Sequence, residues 1–151
     1  MEIREDDPTS PALAALMAEH VAFGHAHTPP ENTHVLAPDK LRAPDITFWT
    51  AWDDITLLGM VALRKIDRHH GEIKSMRTAR AALRRGVARA LLDHLIDVAR
   101  ARGYTRLSLE TGTAPPFGPA NRLYEAVGFV DGPAFGSYPA SPHNRFMSRE
   151  L

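Results

Sequence analysis

The run Arg84-Arg85-Gly86-Val87-Ala88-Arg89 puts three arginines and a glycine where an amphipathic helix begins. A helix N-terminus presents unpaired N–H groups and a partial positive charge, so it suits a phosphate. Glycine lets such an anion approach the backbone, and arginines add charge and bidentate hydrogen bonds. Taken locally, the same residues could equally be solvated surface charges beside a plain turn. Basic residues at this end of a helix oppose its dipole, however, and a bound anion removes that conflict. The run therefore points to a phosphate-bearing ligand. It is neither a nucleoside-triphosphate loop, since no Gly-Lys-Ser/Thr closes it, nor a dinucleotide fingerprint, since no GxGxxG follows a first strand.

Other reactive residue types are informative mainly by what they exclude. There are eight histidines, among them the His25-x-His27 pair and the adjacent His69 and His70. No third ligand stands at a recognisable spacing and no HExxH occurs, so no metal site is expected. The lack of cysteine removes disulfides, thiolate catalysis and Cys-zinc sites. Lys+Arg and Asp+Glu both number 18, a formal net charge of zero, so any charge-based function has to be local and nucleic acid is not an expected partner. The acidic start MEIREDDPTS lacks the basic and apolar regions of a secretory signal, and no apolar run approaches the roughly eighteen residues of a membrane span. A cytoplasmic protein with no membrane partner is the expectation.

The 151 residues are most economically one domain, 1–151. Residues 1–5 can form an edge strand, and TSPALAALMAEHVAF reads as a helix ending near Phe23 and Gly24, with Leu13, Leu16, Met17 and Val21 on one face. From Gly24 to Asp45 the composition shifts to His, Pro, Asn and Asp, an irregular segment with one helical turn at Pro38 to Arg42 and a candidate wall of a binding cleft. Two β-rich runs, ITFWTAWD and ITLLGMVALRKID, flank a turn at Asp53 and Asp54, and GEIKSMRT continues the sheet. Trp49 and Trp52 fall on opposite faces, so one can be core while the other lines a cleft. Val87, Leu91, Leu95 and Val98, with Ala88, Leu92, Ile96 and Ala99, give the central helix a wide apolar face, and Gly103 stops it. TRLSLET is a strand, PANRLYEAV a short helix, GFV the start of a strand and RFMSREL the last one. Between the last two, Asp131 to Asn144 is a Gly/Pro/Ser-rich loop suited to an acceptor rim, a homodimer contact or plain surface. The order predicts a mixed α/β sheet packed by helices.

Two blocks carry a family resemblance. MRTARAALRRGVARALL resembles the fourth strand, turn and pyrophosphate loop, Gln/Arg-x-x-Gly-x-Gly/Ala, of the GCN5-related N-acetyltransferase (GNAT) family, with Gly86 and Ala88 at the two small positions. ANRLYEAVGF resembles that family's A-x-x-L-Y-E-x-x-G-F block about thirty residues later. The resemblance implies a mostly antiparallel central sheet flanked by helices, the acyl-CoA N-acyltransferase fold, and transfer of an acetyl group from acetyl-CoA to a primary amine by direct attack in a ternary complex. Acetyl-CoA is the implied co-substrate and a small-molecule amine the implied acceptor. Arg84, Arg85, Gly86, Val87, Ala88 and Arg89 would hold the pyrophosphate, and the backbone of Met76 and Thr78 the pantetheine arm. Leu83 replaces the motif's Gln/Arg, and Phe117 stands where many members carry an asparagine that touches the pantetheine, with Asn121 nearby. Tyr124 takes the position of a general acid toward the thiolate, and Glu72 or Glu110 could accept the amine proton. Leu83 and Phe117 also motivate a rival reading, a non-catalytic acetyl-CoA-binding regulatory module.

Overall fold

The computed structural model describes residues 1–151. Strand β1 (Glu2–Glu5) leads through a turn into helix α1 (Ala14–His27). The β-branched and aromatic runs that follow make β2 (Ile46–Asp53), β3 (Thr56–Asp67) and β4 (His70–Thr78), consecutive antiparallel neighbours. Asp54 adopts φ 54° in the β2–β3 turn, a left-handed conformation that aspartate tolerates better than most residues. Helix α2 (Val87–Ala101) then crosses to β5 (Arg106–Gly112), helix α3 (Gly118–Ala126) follows, and β6 (Val130–Asp131) and β7 (Asn144–Glu150) complete a seven-stranded sheet in the order β1-β2-β3-β4-β5-β7-β6. Only β4 and β5 run parallel, as a strand–helix–strand crossover requires.

Opposite faces of the sheet bury separate cores. Leu91, Leu92 and Leu95 of α2 are fully buried with Val61, Leu63, Ile73, Leu107 and Leu109, and Tyr124, Val127 and Phe129 join them at one end. Each such leucine contributes about 2 kcal/mol of transfer free energy. On the other face Leu13, Leu16 and Met17 pack against Phe48, Met60 and Ala62, with Leu41 of the Pro38–Arg42 turn closing the edge.

Two irregularities in β4 decide where a ligand can go. Pairing with β5 is confined to His70–Ile73 against Arg106–Leu109, although both strands run on, so their C-terminal halves diverge. On its other edge β4 stays paired to β3, but Met60 faces Arg77 and Ala62 faces Lys74, leaving Ser75 and Met76 together opposite Val61. This is a β-bulge, with Ser75 at φ 54°.

Helix α1 runs four residues past its expected end at Phe23. Gly24 lies inside it, where a β-carbon would sit 3.3 Å from Val35 Cγ1, so the glycine lets the returning segment pack close rather than stopping the helix. Trp49 and Trp52 are both buried and neither lines the cleft, because β2 is separated from the diverging strands by β3. Trp49 packs in the α2 core, whereas Trp52 donates from Nε1 to Thr50 Oγ1 at 2.7 Å under the Arg4 guanidinium.

Candidate active site

A cavity of about 960 Å³ passes through the gap between β4 and β5 and is walled by α1, the residues after it, the N-terminus of α2 and helix α3. At its α2 end the chain makes two left-handed residues, Arg84 at φ 62° and Gly86 at φ 80°, before the helix starts. The first turn has no capping side chain and no acidic residue, so the N–H groups of Val87, Ala88 and Arg89 have no acceptor from the helix or its cap. No protein atom lies within 4 Å of where a β-carbon of Gly86 would be, which leaves room for a ligand against the backbone. Arg84 and Arg89 line the cavity. Arg85 does not: it points to Asp53 at 3.6 Å, an exposed pair. Arg80 and Arg122 line the cavity as well. The spacing gave no reason to single out Arg80, and Arg122 lay hidden in a block recognised for its tyrosine.

The diverging edge of β4 carries Lys74 to Thr78 into the cavity, and β5 brings Glu110 to Gly112 from the other side. Parallel pairing of Glu72 with Ser108 places Glu110, two residues on, on the same face as Glu72. The two carboxylates nevertheless have different surroundings. Glu72 is 1% exposed, with Arg64 Nη2 at 2.9 Å and Lys74 Nζ at 3.4 Å, and it accepts a 2.5 Å hydrogen bond from the Tyr138 hydroxyl. Arg64 is close to Glu72 Oε1 without aiming an N–H at it, so the contact is Coulombic rather than a hydrogen bond. Glu110 has no cation in contact and accepts a single hydrogen bond, from Asn144 Nδ2 at 3.0 Å. Burial raises its carboxyl to about 6, against the opposing effect of that hydrogen bond.

Tyr124 is nearly buried, lines the cavity and makes no side-chain hydrogen bond. Burial and then the Glu110 charge push its phenol well above the ordinary range, so it stays protonated at neutral pH. Phe117 lines the cavity in edge contact with Phe23. Asn121 is corrected from the cofactor-binding set: its Oδ1 accepts from Thr111 Oγ1 at 2.8 Å, its Nδ2 donates to Gly112 O at 3.0 Å, and it does not line the cavity. It ties α3 to β5.

Residues 12–129 match the Acetyltransferase (GNAT) family, well over half of the chain. The chain belongs to the GNAT family. An uncharacterized N-acetyltransferase of Bacillus subtilis (strain 168), YsnE, is 46% identical over 151 residues, covering 100% of both chains. Another uncharacterized N-acetyltransferase, YedL of Escherichia coli (strain K12), is 47% identical over 149 residues, covering 99% of this chain and 94% of the other. A GNAT family acetyltransferase from Elizabethkingia anophelis, solved with acetyl-CoA bound, has TM-score 0.70 at 16% identity and covers 99% of this chain and 97% of that one. The protein is an N-acetyltransferase with the mixed, mostly antiparallel GNAT sheet, and members of this family act on amines.

Several residues of this GNAT site carried no signal in the sequence. Lys74 Nζ donates to the Tyr138 hydroxyl at 2.5 Å, and His34 packs edge-on against the Tyr138 ring, so the Asp131 to Asn144 loop reaches β4. Asn144 Nδ2 also donates to Asn32 O, joining the segment after α1 to β7. These contacts span sixty or more residues of chain. His20 and His34 line the cavity, and no group of three His, Asp or Glu side chains gathers where a metal could be held. No helix is long and apolar enough to cross a membrane.

Proposed function

We propose that this GNAT enzyme moves an acetyl group from acetyl-CoA to the primary amine of a small molecule within a ternary complex. Acetyl-CoA, when bound, supplies an activated acetyl group as a thioester. The chain's own groups fit it: the uncapped amides of Val87, Ala88 and Arg89 and the side chains of Arg84, Arg89, Arg80 and Arg122 suit the phosphates, and the free edge of β4 at Met76 and Thr78 suits an extended amide-bearing arm. Val87 serves through its N–H alone, since its side chain is in the core.

Glu110 is ionised at neutral pH but poised to take a proton, so it accepts one from the acceptor ammonium, directly or through water. The freed amine forms the new N–C bond as the C–S bond breaks, Tyr124 gives its hydroxyl proton to the departing thiolate, and the proton that the nitrogen sheds as it becomes an amide restores the phenol. Glu72 is less available to the acceptor, because two cations and the Tyr138 hydroxyl surround its oxygens. Its role is to hold Lys74 and Tyr138 in place. The observation that carries this reading is the meeting of Tyr124 and Glu110 in one cavity with the uncapped start of α2.

Coenzyme A thiol release on a panel of primary amines tests it. Tyr124→Phe should lower kcat by about 100-fold while leaving coenzyme A affinity within about twofold. An unchanged kcat in that variant removes Tyr124 as the acid.

A further inference from the structure

We infer that the acceptor is a free amino acid or similar small amino carboxylate, whose carboxylate is received by Lys74 and Arg77 on the floor of the chamber beneath α1. This rests on the transfer reading above and adds the acceptor's class.

The bulge in β4 creates this floor. Lys74 and Arg77 are three residues apart and would face opposite sides of a regular strand. Because Ser75 and Met76 together face Val61, Lys74 pairs with Ala62 and Arg77 with Met60, and both side chains emerge on the α1 face together with Glu72. Both line the cavity, with side chains only 9% and 19% exposed. Neither is fully used. Lys74 donates to Tyr138 and Glu72, leaving one of its three protons, and Arg77 gives one donor to Glu19 at 2.8 Å while its guanidinium lies 4.6 Å from the centre of the Phe23 ring.

The charge count around the chamber favours an anionic partner. On the chamber floor Lys74 and Arg77 stand with Glu19, Glu72 and Glu110, and Arg64, outside the lining, pairs with Glu72 as a third cation; the other lining arginines, Arg80, Arg84, Arg89 and Arg122, are those assigned to the phosphates. Glu72 and Glu19 are already paired, so Glu110 is the one carboxylate left to meet an ammonium. Once it has taken the acceptor's proton, three cations face two carboxylates, and a carboxylate on the acceptor cancels the excess. A polyamine or a lysine-rich segment would add to it. Buried charge without a partner is costly, so this difference discriminates. The histidines agree: His20 is lowered to about 4 and His34 is lowered, in each case mainly by burial and then by the positive charge of Arg77 or Lys74. Neutral His20 Nδ1 and His34 Nε2 have no hydrogen-bond partner.

The test compares free amino acids with their methyl esters, their decarboxylated amines and spermidine, by thiol release and by calorimetric binding to the coenzyme A-loaded protein. The free acids should exceed their esters in kcat/KM by about tenfold or more. Lys74→Met should collapse that ratio through KM, and Lys74→Arg should restore most of it. Circular dichroism identifies a variant that fails to fold, in which case Arg77→Gln is read in the same way. Esters, decarboxylated amines or spermidine used as well as the acids, or a ratio unmoved by both substitutions, overturns the assignment. Binding of amino acids without thiol release would sink the transfer reading while sustaining the charge preference, and equal binding across the panel sinks the preference alone.

Discussion

Glu110 and Glu72 are both glutamates on neighbouring strands, but their surroundings separate them. A carboxyl held near 6 by burial in the free protein predicts that kcat/KM for the acceptor rises with pH through an apparent pKa close to 6 and then levels. Glu110→Gln should lower the plateau by about 100-fold and abolish that acidic limb. A limb unchanged in the variant would assign the titration to another group. Asn121→Ala should act on stability instead, costing about 1–3 kcal/mol in urea denaturation because two buried hydrogen bonds are lost, with coenzyme A affinity preserved. At this scale the sequence was legible where a residue's role is fixed by its immediate neighbours. Gly86 needs φ 80° just before a helix, and that is a local property. Asn121 and Arg85 were not legible, because their partners, Gly112 O and Asp53, are set by how α3 and α2 dock on the sheet.

Among the elements, the start of α2 and the upper half of β4 perform most of the positioning. Gly86→Ala adds a β-carbon that meets no protein atom, so its effects come from backbone strain and from the ligand. The strain costs about 1–2 kcal/mol. Coenzyme A affinity should fall by about tenfold by calorimetry, beyond any change in unfolding temperature. The apolar stripes of α2 made its core-facing side readable in advance, and six of those eight residues are buried. The bulge at Ser75 left no such trace, since nothing in GEIKSMRT signals that Val61 will face two residues rather than one. The same is true of Gly24, whose helical setting depends on Val35 packing against it.

For the molecule as a whole, the cavity's unpartnered histidines make stability depend on pH. His20 titrates near 4 in the folded chain but near 6.5 when unfolded, so the unfolded state takes up a proton first as pH falls. Stability is therefore fully present above 6.5 and is lost toward 4, by an amount of order 3 kcal/mol. Glu110 acts in the opposite sense, as its raised carboxyl gives the folded state an extra proton below about 6. His20→Gln should reduce the loss of stability between pH 7 and 5 in urea titrations, and an unchanged loss would assign it to other groups. Element order was visible in the alternation of periods two and 3.6, and the family in two short blocks, because both are written in consecutive residues. The divergence of β4 from β5 depends on pairing across a crossover, which no run of consecutive residues records. That divergence is the centre of the account, and amide hydrogen exchange with and without coenzyme A tests it most directly. Protection should appear at Val87, Ala88 and Arg89, at the start of α2, and along Lys74 to Thr78, on the β4 side of the gap. Binding that leaves those amides unchanged, or that protects a different surface, would contradict the placement of the site between the two strands.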